Sequence, residues 1–282
     1  VPGARRVLGG QRRDGATAVP SDRARRPDPP RRVTGGSALR TGLALVALLA
    51  VFLAVTGAAR VPVRRETVVA VLRGAAQLVA VAVVIAWVFR HPAAAGLYLA
   101  VMVTVAAWTA TRRIGLGPRT LGAVGLAVLA GATTAVVPVV ASGALALGAP
   151  TLVPFGAQMI GGAMAAASVT GLRLRDDLRT EWDVVEGWLA LGATGRQAVT
   201  GHARRAVARA LVPGIDQTRS AGLVTLPGAF VGLLLGGASP AQAAQVQVLV
   251  LVGLLAAQAV SGVLTSTLLA GRLGAARPAA VV

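Results

Sequence analysis

Seven stretches of the chain are long and apolar enough to cross a bilayer, at about 41–59, 67–89, 93–111, 120–141, 151–172, 218–236 and 243–270. A spanning helix needs about 20 mostly apolar residues. Between the fifth and sixth stretches the pattern changes. Residues 173–217 hold six of the chain's ten acids, and Leu178, Trp182, Val185 and Leu189 recur at helical spacing to form one apolar stripe. Acids crowd the first turns of this segment, where a helix dipole favours them. Gly192 stands where a helix would end in a left-handed cap. Thr194 and Gln197 make a T-x-x-Q capping box for a second helix through "RQAVTGHARRAVARALV", expected to stop before Pro213. The expected fold is therefore an all-α polytopic membrane protein with about seven transmembrane helices and a polar helical hairpin between spans five and six.

Composition agrees. The chain has 282 residues, 55% hydrophobic and 13% charged, with mean hydropathy +0.71. Soluble domains carry about 25% charged residues. The absence of Cys excludes disulfides and thiolate metal sites. All 28 basic residues are Arg. Their placement along the loops argues for a membrane topology and against a nucleic-acid partner.

The loops after spans one, three and five and the C-terminal tail carry fifteen Arg, against Arg90 alone in the alternate loops. The positive-inside rule then puts the hairpin and the C-terminus in the cytoplasm of a multi-pass protein of the bacterial plasma membrane. Seven spans leave the N-terminus outside, with the ten Arg of positions 5 to 40 on the disfavoured side. Segment 41–59 is as apolar as the other spans, so the tail, not the span, is taken to be the anomaly. Residues 1–40, rich in Arg, Gly and Pro, read as a disordered tail or upstream sequence. They lack the apolar region of a signal peptide. The permease domain is expected over 41–272, with the hairpin at 173–217 and a tail at 273–282.

Close helix packing in lipid uses small residues at four-residue spacing, and Ala157, Gly161 and Ala165 in span five provide it. Arg73 is the intramembrane charge singled out, with Gln77 one turn along. Snorkelling of Arg73 to the interface is the plainer reading. Gln158, Met159 and Met164 are polar or soft groups on span five; packing is the favoured reading of the methionines. Pro227 is expected to kink span six and free a carbonyl. His91 and His202 have no partner at metal-ligand spacing. No catalytic constellation is present, so an enzyme is not expected. In the hairpin, Trp182 and Trp188 are natural anchors for a soluble partner; a surface-lying amphipathic element is the alternative.

The run E-x-x-x-A-L-G-A-T-x-x-Q-A at 186–198, followed by "ALVPGID" at 210–216, resembles the EAA-type coupling motif of bacterial ABC-transporter permeases. Residues 205–250, "RGAAQL" at 73–78 and "MIGGAM" at 159–164 are similar to the FetB/YbbM permease family, linked to bacterial iron export and including plant aluminium-tolerance permeases. The likeness runs in order over about 67–265. It implies that the hairpin, through Trp182, Glu186, Trp188, Gly192, Ala193, Thr194 and Gln197, fits a cleft on a separate ABC ATPase. Glu186 would make polar contacts with that partner and Gly192 the turn. It also implies a homodimer, with metal-ion export as the activity. The chain has no phosphate loop, so ATP and Mg would belong to the partner, and no cofactor is expected in this chain. Gly162 replaces the Asn of the family pattern, which leaves other cargoes open, a sugar nucleotide or an amphiphile among them. An ATP-independent channel or secondary transporter is the reading from another class.

Overall fold

A computed structural model describes residues 35–274, and the expected tails lie largely outside that range. The described residues are helical, with no strand among them. The helices are α1 (Gly35–Ala58), α2 (Arg64–Arg90), α3 (Ala94–Ile114), α4 (Leu121–Ala141), α5 (Ala149–Thr180), α6 (Trp182–Ala190), α7 (Gly195–Ala198), α8 (Thr200–Ser220), α9 (Gly228–Leu235) and α10 (Pro240–Leu273). Six helices among the described residues are long and apolar enough to cross a membrane. The chain is an all-α polytopic membrane protein. Its first helix begins at Gly35, inside the segment expected to be a disordered tail.

The chain divides into two units, residues 1–75 and 76–282. The described part of the first holds α1 and the start of α2, joined by a turn in which Arg60 has φ +55° and its N–H donates to Gly57 O. None of the described residues in this unit is buried.

In the second unit, α5 is the central helix, packed against α3, α4, α8 and α10. Its buried side carries Gly156, Met159, Ile160, Ala163, Ala167, Gly171, Leu174 and Leu178. The Ala157–Gly161–Ala165 stripe is therefore not the packing face within one chain. Gly161 has open space where a Cβ would stand, and Ala165 is exposed. In so Ala- and Gly-rich a helix small residues recur on every face, so spacing alone could not choose between them. At a close junction, the Cα of Gly131 on α4 faces the carbonyl of Ala257 and the Cβ of Ser261 on α10. Ser261 Oγ donates to Ala163 O on α5 at 2.9 Å. Such a bond joins two helices where lipid offers no alternative partner.

The sixth expected span, 218–236, is not one helix. Helix α8 passes through Pro213 and runs to Ser220, beyond the stop expected before that proline. A turn over 221–227 then closes on itself. Gly222, at φ +83°, donates to Thr225 O, while the N–H groups of Leu223, Val224 and Thr225 converge on Ser220 O. Pro227 does not kink a helix; it precedes the eight-residue α9 as its cap. A Ser239–Gln242 capping box with Pro240 at the first position starts α10. That box is legible in the sequence and was not among the signals read there.

Candidate functional site

The hairpin sits at one end of the bundle, on the extensions of α5 and α8. The two run antiparallel, as their ion pairs show. Asp177 accepts from Arg209 Nη1 at 3.2 Å, and Glu181, one turn on, accepts from Arg205 Nη2 at 2.8 Å and lies 3.0 Å from Nε2 of buried His202. As one number of each pair rises the other falls. The tip is built as its sequence dictates. Gly192 takes φ +89°, Ala193 follows it with its N–H bonded to Trp188 O, and the Thr194–Gln197 box starts α7.

The stripe Leu178, Trp182 and Val185 is buried, with Leu189 half-buried beside it. Trp182 is 6% exposed, and its indole N–H donates to Glu186 Oε1 at 2.7 Å. Both residues assigned to partner contact therefore engage one another, and Trp182 braces the hairpin from inside. The opposite face of α6 is different. Val184, Trp188 (54% exposed) and Leu191 (82% exposed) form an apolar stripe one and two turns apart, left uncovered by the described residues. The sequence reading found Trp188 and missed its two neighbours, though their i, i+4, i+7 spacing would have given them.

Three contacts gather the rest of this end of the molecule. Arg175 donates to Ile114 O at the end of α3. Arg272 Nη1 donates to Arg119 O at 2.7 Å, and Gly274 presses against the backbone of Gly195. The loop after α3, the hairpin tip and the end of α10 thus share one side of the second unit.

The path candidates scatter. Arg73 and Gln77 are exposed on α2. Met159 is fully buried against Gly253, and Met164 is half-buried against the core; both read as packing. Gln158 lines a cavity of about 240 Å³ with Phe155, Ala229, Leu233 and Val246. Pro227 lines another of about 270 Å³ with Thr218, Phe230 and Gln247. Gln247 is buried, and its Oε1 has no hydrogen-bond partner among the described residues. Discontinuous helices flanked by cavities are where membrane transporters place their ligands.

The match to the uncharacterised protein family UPF0014 covers residues 40–273. The chain is 36% identical over 228 residues to the UPF0014 membrane protein STAR2 of Oryza sativa, covering 80% of each. It is 35% identical over 227 residues to the Protein ALUMINUM SENSITIVE 3 of Arabidopsis thaliana, covering 80% of this chain and 82% of that one. It is also 26% identical over 219 residues to the Probable iron export permease protein FetB of Escherichia coli, covering 77% and 85%. No solved structure matches the chain.

Proposed function

This chain belongs to the UPF0014 family of membrane proteins, and we propose that it is the membrane-spanning permease subunit of an ABC-type exporter. It works as a homodimer in the bacterial plasma membrane, with the hairpin and C-terminus cytoplasmic. A separate ATPase binds ATP and Mg. The observation that carries this reading is the exposed Val184–Trp188–Leu191 stripe on a helix held from behind by Trp182 and Val185. An aromatic anchor with aliphatic neighbours on a rigid support is what a docking partner's cleft takes. Because α5 and α8 run unbroken from the hairpin into the bundle, closure of two ATPases would move both as rigid bodies. The chain's own residues supply the lever; hydrolysis is the partner's.

The name of the FetB relative supports a metal ion such as iron as cargo. A second reading, an uncharged amphiphile, is favoured by the cavity beside Gln247, whose walls are apolar apart from that amide and Thr218.

ATP turnover tests the proposal. An ABC ATPase from the same genome, reconstituted with this chain in proteoliposomes, should bind it and change its rate of hydrolysis. Trp188→Asp should abolish both effects while the permease keeps its melting temperature. If no ATPase binds the native chain or responds to it, the exporter reading fails and a channel or secondary transporter takes its place.

A further inference from the structure

We propose that the face of α8 carrying Asp216, Gln217 and Arg219 lines a water-filled translocation path at mid-membrane, and that Asp216 is the group in it that recognises a cation. This deepens the exporter reading and rests on it for the cargo, though not for the water.

Helix α10 has 34 residues and is about 51 Å long at 1.5 Å per residue, so both of its ends clear a hydrocarbon core of about 30 Å. Its midpoint is near Gln258. The Gln258 amide fits against the Cα of Gly214 on α8 and close to Gly162 on α5, which fixes Gly214 at the middle of the bundle. Four residues on, Thr218 shares a cavity with Ala244, Gln247 and Leu251, nearer the start of α10. Asp216 lies between these two levels and therefore inside the hydrocarbon layer, while Arg219, one position past Thr218, lies nearer the level at which α10 starts. Asp216 and Gln217 were expected in the cytoplasmic segment 173–217, and Arg219 at the start of the span 218–236.

Exposure is the second step. The side chains of Asp216 and Arg219 are 59% and 77% exposed, and they meet through a single 3.3 Å contact. Gln217 is exposed as well. A charged Asp216 is costly to leave facing acyl chains at this depth, and Gln217 and Arg219 extend the polar surface beside it. They must face water or another protein surface. The opposite wall then comes from outside this bundle, and in the homodimer a second copy supplies it, with its own Asp216 and Arg219.

The chemistry of the pair names the ligand class. At rest Arg219 neutralises Asp216. Their one 3.3 Å contact is exposed and of the weak kind, so an arriving cation can take the carboxylate while Arg219 swings into water. The exposed positions of α4 near Gly131 carry no charge: Leu129 is apolar, and the hydroxyls of Thr133 and Thr134 donate to carbonyls of their own helix.

The chain's lack of Cys makes the test direct. Single cysteines replace Gln217, Arg219 and, as a lipid-facing control, Leu129, in the full-length chain reconstituted into proteoliposomes without any ATPase. Each is exposed to membrane-impermeant methanethiosulfonates, one cationic and one anionic. Gln217→Cys and Arg219→Cys should react at least about tenfold faster than Leu129→Cys. For Arg219→Cys, with Asp216 now unpaired, the cationic reagent should be favoured by about tenfold over the anionic one. That preference should vanish in Arg219→Cys combined with Asp216→Asn. Reaction at both α8 positions as slow as at Leu129→Cys overturns the path. Equal rates for the two reagents overturn the role of Asp216. Since no ATPase is present, neither result depends on the partner; loss of ATPase coupling with fast labelling would sink the exporter reading and leave this one standing.

Discussion

The indole N–H of Trp182 donates a 2.7 Å hydrogen bond to Oε1 of Glu186, one turn further along α6. The bond ties a buried residue to an exposed one on the packed side of α6, while Val184, Trp188 and Leu191 on its other side are exposed. The two tryptophans of this short helix should then behave in opposite ways. Trp182→Ala removes a buried aromatic and should cost about 3–5 kcal/mol. Trp182→Phe, which loses chiefly the hydrogen bond, should cost about 1 kcal/mol. Trp188→Ala should leave stability within about 0.5 kcal/mol and lower ATPase affinity at least tenfold. Thermal melts in detergent beside a binding titration separate the two.

Glu181 is a hub that sequence spacing did not reveal, because its partners are 21 and 24 residues away. Arg205→Ala and Arg209→Ala remove largely exposed ion pairs and should each cost less than about 1 kcal/mol. Glu181→Ala also strips buried His202 of the one partner its ring has among the described residues, where Nδ1 is already unbonded. It should cost about 1–3 kcal/mol. Equal losses for all three variants in the same melts would contradict this ranking.

Two glycines of the bundle should respond with opposite sign. At Gly131 a methyl group would run into Ala257 O and Ser261 Cβ, so Gly131→Ala should destabilise by about 1–3 kcal/mol. At Gly161 a methyl group meets nothing within 4 Å, and Gly161→Ala should raise helix stability by up to about 1 kcal/mol. Melting of the purified chain reads both.

How far the sequence reveals this molecule follows from what each feature depends on. The long helices are legible because crossing lipid requires an apolar run whatever surrounds it; α2, α3 and α10 fall within a few residues of expectation. The turn of the hairpin is legible for a similar reason, since Gly192 and the Thr194–Gln197 box act through their own backbone. The break over 221–227 is hidden because its residues are as apolar as a continuous span. The polar run Asp216–Ser220 is the signal that could have exposed it. Facing is the least legible property. Trp182 and Trp188 differ by six positions, more than one and a half turns, and only the packing of α6 onto α5 and α8 decides which of them is sealed.

Topology can be checked with the same Cys-free background. Ser142 is exposed between α4 and α5, and Leu191 is exposed at the hairpin tip. In intact bacterial cells an impermeant maleimide should label Ser142→Cys and spare Leu191→Cys; after lysis both should react. The reverse order would invert the orientation drawn from the Arg-rich loops.

The central claim is that the apolar stripe of α6 seats in an ABC ATPase. The most direct measurement is a site-specific cross-link. A photoreactive benzophenone maleimide is attached to Leu191→Cys or, as a control on the other side of the bundle, to Ser142→Cys, with the ATPase co-expressed. Irradiation of membranes should give one adduct of permease and ATPase from Leu191→Cys, lost when Trp188→Asp is added, and none from Ser142→Cys. Absence of the adduct from Leu191→Cys, or its equal appearance from Ser142→Cys, would contradict the account.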